Sequence, residues 1–253
     1  MPGVQSDLTT DQKKDLIDCL HKEIANGDAR AVSILAEEYR AGFNVPKNPQ
    51  RAFELFNKAV ELGDVRAMSD VGGMYGSGLG VQKDEKEALK WYIKAADMGD
   101  SKAPRDVGVS FEFGHGTEVD YAKAAHYYQL SAEKGDMTGE CLLGSFYERG
   151  LGVEQNYDKA IDLYVKSSAR GDIIASPAMA ALGSLYETRK DGKQDIQEAI
   201  KWYKKAADLK NHEAQDDLAR LIGNDPKPAQ KSRNLCLTIF SQTCDLPSTG
   251  PCK

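Results

Sequence analysis

A pattern of small and aromatic residues returns every 36 residues along this chain, and it constrains the fold more than any other feature. The five units start, at their position zero, from Ala31, Ala67, Ala103, Gly139 and Ala178, the last after an interval of 39 residues. Position eight is aromatic in every unit: Tyr39, Tyr75, Phe111, Tyr147 and Tyr186. Position 21 is alanine in every unit: Ala52, Ala88, Ala124, Ala160 and Ala199. Self-similarity at a fixed period of this length is typical of a solenoid built from stacked supersecondary units.

The pattern within each unit predicts two antiparallel helices joined by a loop. The first helix runs for about ten residues from position zero, because apolar residues at positions 0, 4 and 8 share one helical face. The second helix is expected to begin after position 17, which is an N-cap residue in every unit: Asn48, Asp84, Asp120, Asn156 and Asp195. Position five is glycine in four units, although a glycine inside a helix costs about 1 kcal/mol relative to alanine. Its recurrence indicates a close approach of the partner helix.

The ends of the periodic region divide the chain into three segments. Residues 1–27 are predicted to hold an N-terminal capping helix, from about Thr10 to Asn26, because Gly27-Asp28 repeats the dipeptide that closes four of the units. Residues 28–223 are predicted to form the repeat solenoid, which ends in a terminal helix over 212–223. The periodicity stops beyond Gly223, and we expect residues 224–253 to be a disordered tail whose short apolar run, Leu235 to Phe240, docks on the last helix.

Charge and hydropathy exclude several classes of protein. The net charge of −6 argues against binding of nucleic acid through the phosphates, which needs a basic surface. No stretch approaches the roughly 18 apolar residues of a membrane-spanning helix, and the first twelve residues lack the pattern of a secretory signal. We therefore expect a cytoplasmic monomer that does not insert into a membrane.

The five cysteines leave a second compartment open. Cys19 and Cys141 lie in predicted helices and are expected to be small buried apolar residues. Cys236, Cys244 and Cys252 lie in the tail at eight-residue intervals, which match no zinc-binding pattern. Free thiols fit a reducing compartment, whereas a disulfide within the tail is the alternative. Oxidised tail cysteines would instead indicate an assembly factor of the mitochondrial intermembrane space or the periplasm.

The second unit, from Ala67 to Asp100, resembles the signature of the Sel1-like repeat family. The matching residues are Ala67, Val71-Gly72, Tyr75, Gly78, Gly80-Val81, Asp84, Ala88, Trp91-Tyr92, Ala95-Ala96 and Gly99. The resemblance extends from about Ala25 to Ile222. It implies an all-α fold, namely a right-handed α-solenoid of five helix-turn-helix repeats with flanking capping helices, related to tetratricopeptide arrays. It also implies an adaptor or scaffold that binds other proteins.

The chain departs from the family pattern in two respects. Unit five has Arg189 and Asp191 where glycine is usual, so its inter-helix loop is expected to differ. Some members of the family carry a cysteine pair in each repeat and have been ascribed β-lactam binding or hydrolysis. Here only Cys141 lies inside the five units, which argues against that alternative function.

The sequence predicts no catalytic, cofactor-binding or metal-binding residues. The glycine-rich segment from Gly76 to Gly80 joins two predicted helices, whereas a phosphate-binding loop follows a strand. The four histidines are too scattered to supply the ligands of a zinc site. No serine, histidine and acid can be placed together on one surface, and a serine nucleophile needs a base within hydrogen-bond reach. We therefore predict a non-enzymatic protein.

The candidate binding surface is the side of each first helix that carries positions 2, 6 and 9, opposite positions 0, 4 and 8. We call it the first-helix face, and in solenoids of helical pairs it commonly lines the concave surface. Position nine is glutamate in units three to five, an acidic ladder suited to a basic or amide-rich peptide. The candidate partner-binding residues are Glu37, Arg40, Ser69, Arg105, Glu112, Glu148 and Glu187. The alternative is a solvated polar face without a partner.

Overall fold

The computed structural model describes residues 9–223 and Cys236, and within them the fold is entirely helical. The helices are α1 (Thr10–Ala25), α2 (Ala29–Ala41), α3 (Pro49–Glu61), α4 (Val65–Ser77), α5 (Glu85–Asp97), α6 (Ala103–Phe113), α7 (Tyr121–Glu133), α8 (Met137–Arg149), α9 (Tyr157–Ser168), α10 (Ser176–Thr188), α11 (Ile196–Asp208) and α12 (His212–Ile222). A single turn of 3-10 helix (Ile173–Ala175) precedes α10. The prediction of an all-α chain is confirmed. No described helix combines the length and hydrophobicity needed to cross a bilayer.

The helices pack as five hairpins in two compact units. Each even-numbered helix from α2 to α10 is the first helix of a repeat and packs against the helix that follows it. The boundary between the units falls after Asp100. Of the described residues, the first unit holds α1–α5, which include repeats 1 and 2, and the second unit holds α6–α12, which include repeats 3 to 5. Helix α1 packs on α2 in the first unit, and α12 packs on α11 in the second.

The core of each unit consists of the residues that recur in the sequence. In the first unit, Ala31, Leu35, Ala52 and Phe56 of repeat 1 are buried together with Leu20 of α1. In the second unit, the largest side chains among the fully buried ones are Tyr128, Tyr164 and Tyr203. Position 28 is completely buried in all five repeats, and it is always small: Ala59, Ala95, Ser131, Ser167 and Ala206. Small residues at that position let the second helix lie close to its neighbours.

Local hydrogen bonds define where each helix begins and ends. All five predicted N-caps at position 17 are confirmed, since each side chain accepts a backbone N–H from the first turn of its second helix. Such a cap stabilises a helix by about 1 kcal/mol.

The Gly-Asp dipeptide ends one helix and begins the next. Gly63 has φ of +94°, the Asp64 N–H donates to Ala59 O at 2.9 Å, and the Asp64 carboxylate accepts the Arg66 N–H at the start of α4.

The loop of repeat 5 differs from the others, as its sequence predicts. Helices α2, α4, α6 and α8 end on a glycine in the left-handed conformation, whereas α10 ends at Arg189, whose backbone is extended at φ −59° and ψ 139°. The Arg189 side chain is buried and donates to Asp191 and, at 2.9 Å, to Asp158 of repeat 4. An ion-paired side chain therefore fastens this loop to the preceding hairpin.

The tail predicted over residues 224–253 lies outside the described residues, apart from Cys236. The same holds for the expected docking of Leu235 to Phe240 on the last helix. Cys236 itself is bonded to α8.

The glycine at position five is explained by the tyrosine ring at position 25 of the same repeat. A Cβ atom would lie 2.8 Å from the Tyr92 ring at Gly72, 2.5 Å from the Tyr128 ring at Gly108, 2.8 Å from the Tyr164 ring at Gly144 and 2.6 Å from the Tyr203 ring at Gly183. Repeat 1 has Ala36 and Phe56 at these two positions. The close approach predicted from the sequence is confirmed, and the group that approaches is an aromatic ring.

Two adjacent glycines of α4 provide a matched test of this packing. We expect Gly72→Ala to lower the free energy of unfolding by about 1–3 kcal/mol, because its methyl group would overlap the Tyr92 ring. Gly73→Ala should leave that free energy unchanged or raise it by up to about 1 kcal/mol, since its Cβ would lie 3.6 Å from Tyr92 Oη and alanine favours the helix. Urea denaturation followed by circular dichroism measures both, and equal effects would contradict the packing argument.

Candidate functional site

The seven candidate residues lie on the first helices α2 and α4 of the first unit and α6, α8 and α10 of the second. Burial separates them into two groups. Arg105 and Glu112 are 6% and 7% exposed, respectively. The other five are half-buried: Glu37, Arg40, Ser69, Glu148 and Glu187. The expectation of a solvent-facing acidic ladder is therefore wrong for Glu112, because tertiary packing covers it.

The acidic ladder forms a row of hydrogen bonds inside the second unit. Tyr128 Oη donates to Glu112 Oε2 at 2.7 Å, and Tyr164 Oη donates to Glu148 Oε2 at 2.9 Å. In the same way Tyr203 Oη donates to Glu187 Oε2 at 3.1 Å. The glutamate is at position nine and the tyrosine at position 25, so each bond joins the first helix of a hairpin to its second helix.

The sequence contains a pairing of two positions that predicts these bonds, and comparison of single positions between repeats does not reveal it. Repeats 3 to 5 have both a glutamate at position nine and a tyrosine at position 25. Repeat 1 has Arg40 and Phe56, so the acceptor and the hydroxyl are absent together. Repeat 2 keeps Tyr92 but has Gly76 at position nine, which breaks the correlation. Pairing positions within a repeat, rather than comparing one position between repeats, would have found the contact.

Burial shifts the pKa values of Glu112 and Tyr128, the hydrogen-bonded pair of repeat 3. Desolvation raises the pKa of Glu112 above its ordinary value, and the hydrogen bond from Tyr128 opposes that rise. Desolvation and the nearby Glu112 carboxylate raise the pKa of Tyr128 well above its ordinary value. The tyrosine therefore stays protonated and remains the donor. A carboxylate in this position costs free energy that the single hydrogen bond does not fully offset.

Arg105 has a structural role in the second unit. Its Nε and Nη2 atoms lie 3.1 Å and 3.0 Å from Asp106 Oδ1, and its Nη1 atom lies 3.5 Å from Asp136 Oδ1. Asp136 is the N-cap of α8, so the guanidinium links α6 to the start of the next first helix. A buried charge that loses such partners is strongly destabilising. Arg105 thus joins two consecutive hairpins through its ion pairs.

Glu187 accepts hydrogen bonds from two residues, Tyr203 of its own hairpin and Arg220 of α12. Arg220 of α12 donates from Nη2 to Glu187 Oε2 at 2.7 Å and to Asp217 Oδ1 at 3.2 Å. Burial raises the pKa of Asp217, and the bond from Arg220 opposes the rise. These contacts fasten α12 to repeat 5.

In the first unit, Glu37 and Arg40 of the first-helix face remain partly exposed to solvent. Glu37 and Arg40 form a two-pronged ion pair with distances of 2.6 Å and 3.0 Å, and their side chains keep 35% and 28% of their exposure. In the part of the chain that the structure describes, Ser69 Oγ is one of two buried side-chain polar atoms without a hydrogen-bond partner, the other being Trp202 Nε1. A buried hydroxyl left unpaired costs about 1–3 kcal/mol.

The prediction of a free thiol is wrong for Cys236, whereas the predicted burial of Cys141 is confirmed. Cys244 and Cys252 lie outside the described residues. Cys141 of α8 is disulfide-bonded to Cys236, across 95 residues of sequence, and Cys19 is also disulfide-bonded. The Cα atoms of Cys141 and Cys236 lie 5.6 Å apart. The sequence could not show this pairing, because only the tertiary fold brings position two of repeat 4 beside the tail. Among residues 9–223 and Cys236, no three His, Cys, Asp or Glu side chains are arranged to hold a metal ion.

The raised pKa of Glu112 predicts that the stability of the fold depends on pH. Below pH 4.5, the ordinary pKa of glutamate, the Glu112 carboxyl is protonated in both the folded and the unfolded chain. As the pH rises above 4.5, the unfolded chain ionises first, so this residue destabilises the fold progressively until its raised folded pKa is passed. Glu112→Gln removes that cost and can still accept from Tyr128.

We therefore expect the stability of Glu112→Gln relative to the natural protein to increase from about pH 4.5 to pH 7. Urea unfolding at several pH values measures the difference. Tyr128→Phe is the companion variant, because it removes the hydroxyl that donates to the Glu112 carboxylate. We expect it to lower the free energy of unfolding by about 1–3 kcal/mol at pH 7. A Glu112→Gln variant that is less stable by the same amount at every pH would contradict the assignment.

Comparisons with known proteins agree with this architecture. A family model described as Sel1 repeat matches residues 29–64, 65–100, 103–136, 139–172 and 176–211. The crystal structure of a Sel1 repeat protein from Oxalobacter formigenes is 27% identical, with a TM-score of 0.72, and the alignment covers 92% of this chain and 98% of that one. No curated protein matches the sequence.

Two further solved structures are similar. A protective antigen of uropathogenic Escherichia coli strains is 28% identical with a TM-score of 0.70, and the alignment covers 92% of this chain but 49% of the antigen, so the chain spans about half its length. An immunity protein from Pseudomonas aeruginosa shares the fold at 23% identity and a TM-score of 0.54, over 87% of this chain and 83% of that one. The matches confirm the predicted α-solenoid of helix-turn-helix repeats.

Proposed function

The chain belongs to the Sel1 repeat family, and on that premise we propose that it is a non-enzymatic scaffold that binds a partner polypeptide along the first-helix face. Sel1 repeat proteins generally mediate protein–protein interaction. The observation that supports this surface is the burial of positions 0 and 4 in all five first helices. Positions 2, 6 and 9 therefore share the opposite side of each first helix, and within each unit this side recurs from one hairpin to the next.

Accessible surface decides which residues of the face we assign to the partner. Glu37, Arg40 and Glu148 are half-buried and keep surface to offer, whereas Arg105 and Glu112 are buried. We do not assign Glu187 or Ser69 to the partner, because the Glu187 side chain is 9% exposed and the Ser69 hydroxyl is buried. The net charge of −6 and the carboxylates of the face favour a partner with a basic or amide-rich segment.

A photo-crosslinking amino acid at Glu37 tests the surface, with the same amino acid at Glu54 as the control. Both positions belong to repeat 1, but Glu54 lies on the second helix, where its side chain is 62% exposed. Peptides selected on the purified protein from a random display library serve as probes. We expect crosslinks to the selected peptides from Glu37 and not from Glu54.

We also expect the selected peptides to be enriched in lysine, arginine, asparagine and glutamine. Circular dichroism of both crosslinker variants establishes that they fold alike. Crosslinking from Glu54 alone would place the binding surface on the second helices and refute the proposal.

We further propose that the protein functions in an oxidising compartment. The Cys141–Cys236 bond and the bonded state of Cys19 support this location, because reducing compartments keep thiols free. Alkylation at lysis, followed by thiol counting under denaturing and non-reducing conditions, tests it on protein from its native source. With two disulfides among five cysteines, we expect one free thiol per chain, whereas five would indicate a reducing compartment.

A further inference from the structure

The first-helix face of repeat 2 carries no side chain larger than that of serine. Its residues at positions 2, 6 and 9 are Ser69, Gly73 and Gly76. The other four repeats have a charged residue at position nine: Arg40, Glu112, Glu148 and Glu187. Helix α4 therefore exposes backbone where the other first helices carry a long side chain.

The space beside this backbone is bordered by the hydroxyl of Tyr92. A Cβ atom at Gly73 would lie 3.6 Å from Tyr92 Oη, and one at Gly76 would lie 4.0 Å from Tyr92 Oη and 3.6 Å from the Ala88 Cβ. Of the residues that the structure describes, no other comes within 4 Å of either position, apart from the adjacent residues and the backbone of α4. We call the space over Gly73 and Gly76, with Tyr92 Oη at its edge, the repeat-2 recess.

The tyrosine at position 25 is more exposed in repeat 2 than in repeats 3 to 5. Tyr128, Tyr164 and Tyr203 are at most 1% exposed, whereas Tyr92 is half-buried. The Tyr92 ring packs on Gly72 as the other three rings pack on their glycines, so the difference lies at the hydroxyl end, where position nine supplies no glutamate. Tyr92 makes a further contact within the protein. A phenolic oxygen can accept one hydrogen bond while it donates another.

Repeats 3 to 5 show which group fits against this hydroxyl. In each of them a glutamate oxygen accepts the hydrogen bond from the tyrosine, at distances from 2.7 Å to 3.1 Å. The accepting oxygen stands at the end of a two-carbon stem, a length that glutamate shares only with glutamine. In repeat 2 the same group must come from another polypeptide, because position nine is glycine.

A neutral amide suits the recess better than a carboxylate does. Burial raises the pKa of Glu112, so packing disfavours a charge at this register. Gly76 lies in the last turn of α4, which ends at Ser77, and the C-terminus of a helix carries partial negative charge. The carbonyl groups at a helix end accept hydrogen bonds from outside the helix. The NH2 group of an amide can donate to them while its oxygen accepts from Tyr92.

We propose that the repeat-2 recess binds a glutamine side chain of the partner polypeptide, whose carbonyl oxygen accepts a hydrogen bond from Tyr92 Oη. The inference rests on the proposed function and names a residue type that the first-helix face recognises. The glutamine amide takes the place of the position-nine glutamate of repeats 3 to 5. Repeat 2 thereby determines which residue of the partner lies over α4.

A glutamine supplied by α4 itself tests the recess without any partner. In Gly76→Gln the side chain starts from the register of Glu112, so its amide can reach Tyr92 Oη. We expect this substitution to raise the midpoint of urea unfolding, and to raise it less in a Tyr92→Phe background. Tyr92→Phe keeps the ring but removes the hydroxyl. An equal rise in both backgrounds would show that the hydroxyl meets no amide in the recess and would overturn the proposal.

Peptide binding tests the recess as a site for the partner. Peptides selected from the random library on the natural protein are the probes, and each glutamine in them is replaced in turn by methionine, which has a similar length but no carbonyl in its side chain. Fluorescence anisotropy measures the Kd. We expect one replacement to weaken binding to the natural protein about tenfold and to have no effect on binding to Tyr92→Phe. The same loss on both proteins would overturn the proposal.

Two variants of repeat 2 control for the added side chain. Gly76→Gln should weaken binding of these peptides about tenfold, because it fills the recess. Met98→Gln is the matched control, since residue 98 is 53% exposed and lies at the end of α5, at the opposite end of the hairpin from Gly76. It should leave the Kd unchanged, and circular dichroism establishes that both variants fold. Equal weakening by the two variants would contradict a site at the recess.

A glutamate in place of the critical peptide glutamine tests the choice of a neutral amide. We expect this peptide to bind about tenfold more weakly at pH 7, because its charge lies beside the C-terminus of α4. Tighter binding of the glutamate peptide would overturn the assignment to glutamine.

Crosslinking from Glu37 separates this inference from the proposed function. If peptides bind and crosslink from that position but none depends on a glutamine in the presence of the Tyr92 hydroxyl, the scaffold proposal stands and the recess does not bind glutamine. If no peptide binds the natural protein, the scaffold proposal fails and the assignment of a partner glutamine fails with it.

Discussion

The contact between a tyrosine ring at position 25 and a glycine at position five determines the geometry of the hairpins in repeats 2 to 5. The glycine has no side chain, so the ring can lie where a Cβ atom would otherwise be, as for Tyr128 over Gly108. In repeats 3 to 5 the hydroxyl of the same tyrosine then reaches a glutamate on the first helix. A single residue thus supplies the packing and the buried polar contact that join the two helices. The cost of glycine in a helix, about 1 kcal/mol, is offset by burial of the ring.

This arrangement changes how the polar residues of the first-helix face are understood. A row of glutamates at a fixed register resembles a recognition surface when only the sequence is considered. The structure shows that each of them accepts a hydrogen bond from its own hairpin, and that Glu187 also binds Arg220. Regular spacing of charge in a repeat protein therefore has a structural cause here, since every hairpin needs the same internal contact. The surface available for recognition consists of what these bonds leave accessible.

The two units differ in that respect. The first unit keeps half-buried polar residues on the face, whereas position two is buried throughout the second. The disulfide from Cys141 fixes a residue of the C-terminal segment on this same side of α8.

Much of the fold follows from the sequence by local rules. The period of 36 residues, the asparagine or aspartate before each second helix and the Gly-Asp junctions all act within a few residues of the chain, so the helices and their caps could be predicted. The unusual loop at Arg189 was predictable for the same reason. The roles of Glu112, Arg105 and Cys141 were not, because each depends on a group brought close by packing: Tyr128 from the facing helix, Asp136 from the next hairpin and Cys236 from 95 residues away. The sequence by itself determined the repeat and its helices through short-range propensity and periodic burial. Only the tertiary structure decided which polar groups are hydrogen-bonded inside the hairpins and which cysteine pairs with Cys141, since desolvation and pairing depend on distances in space.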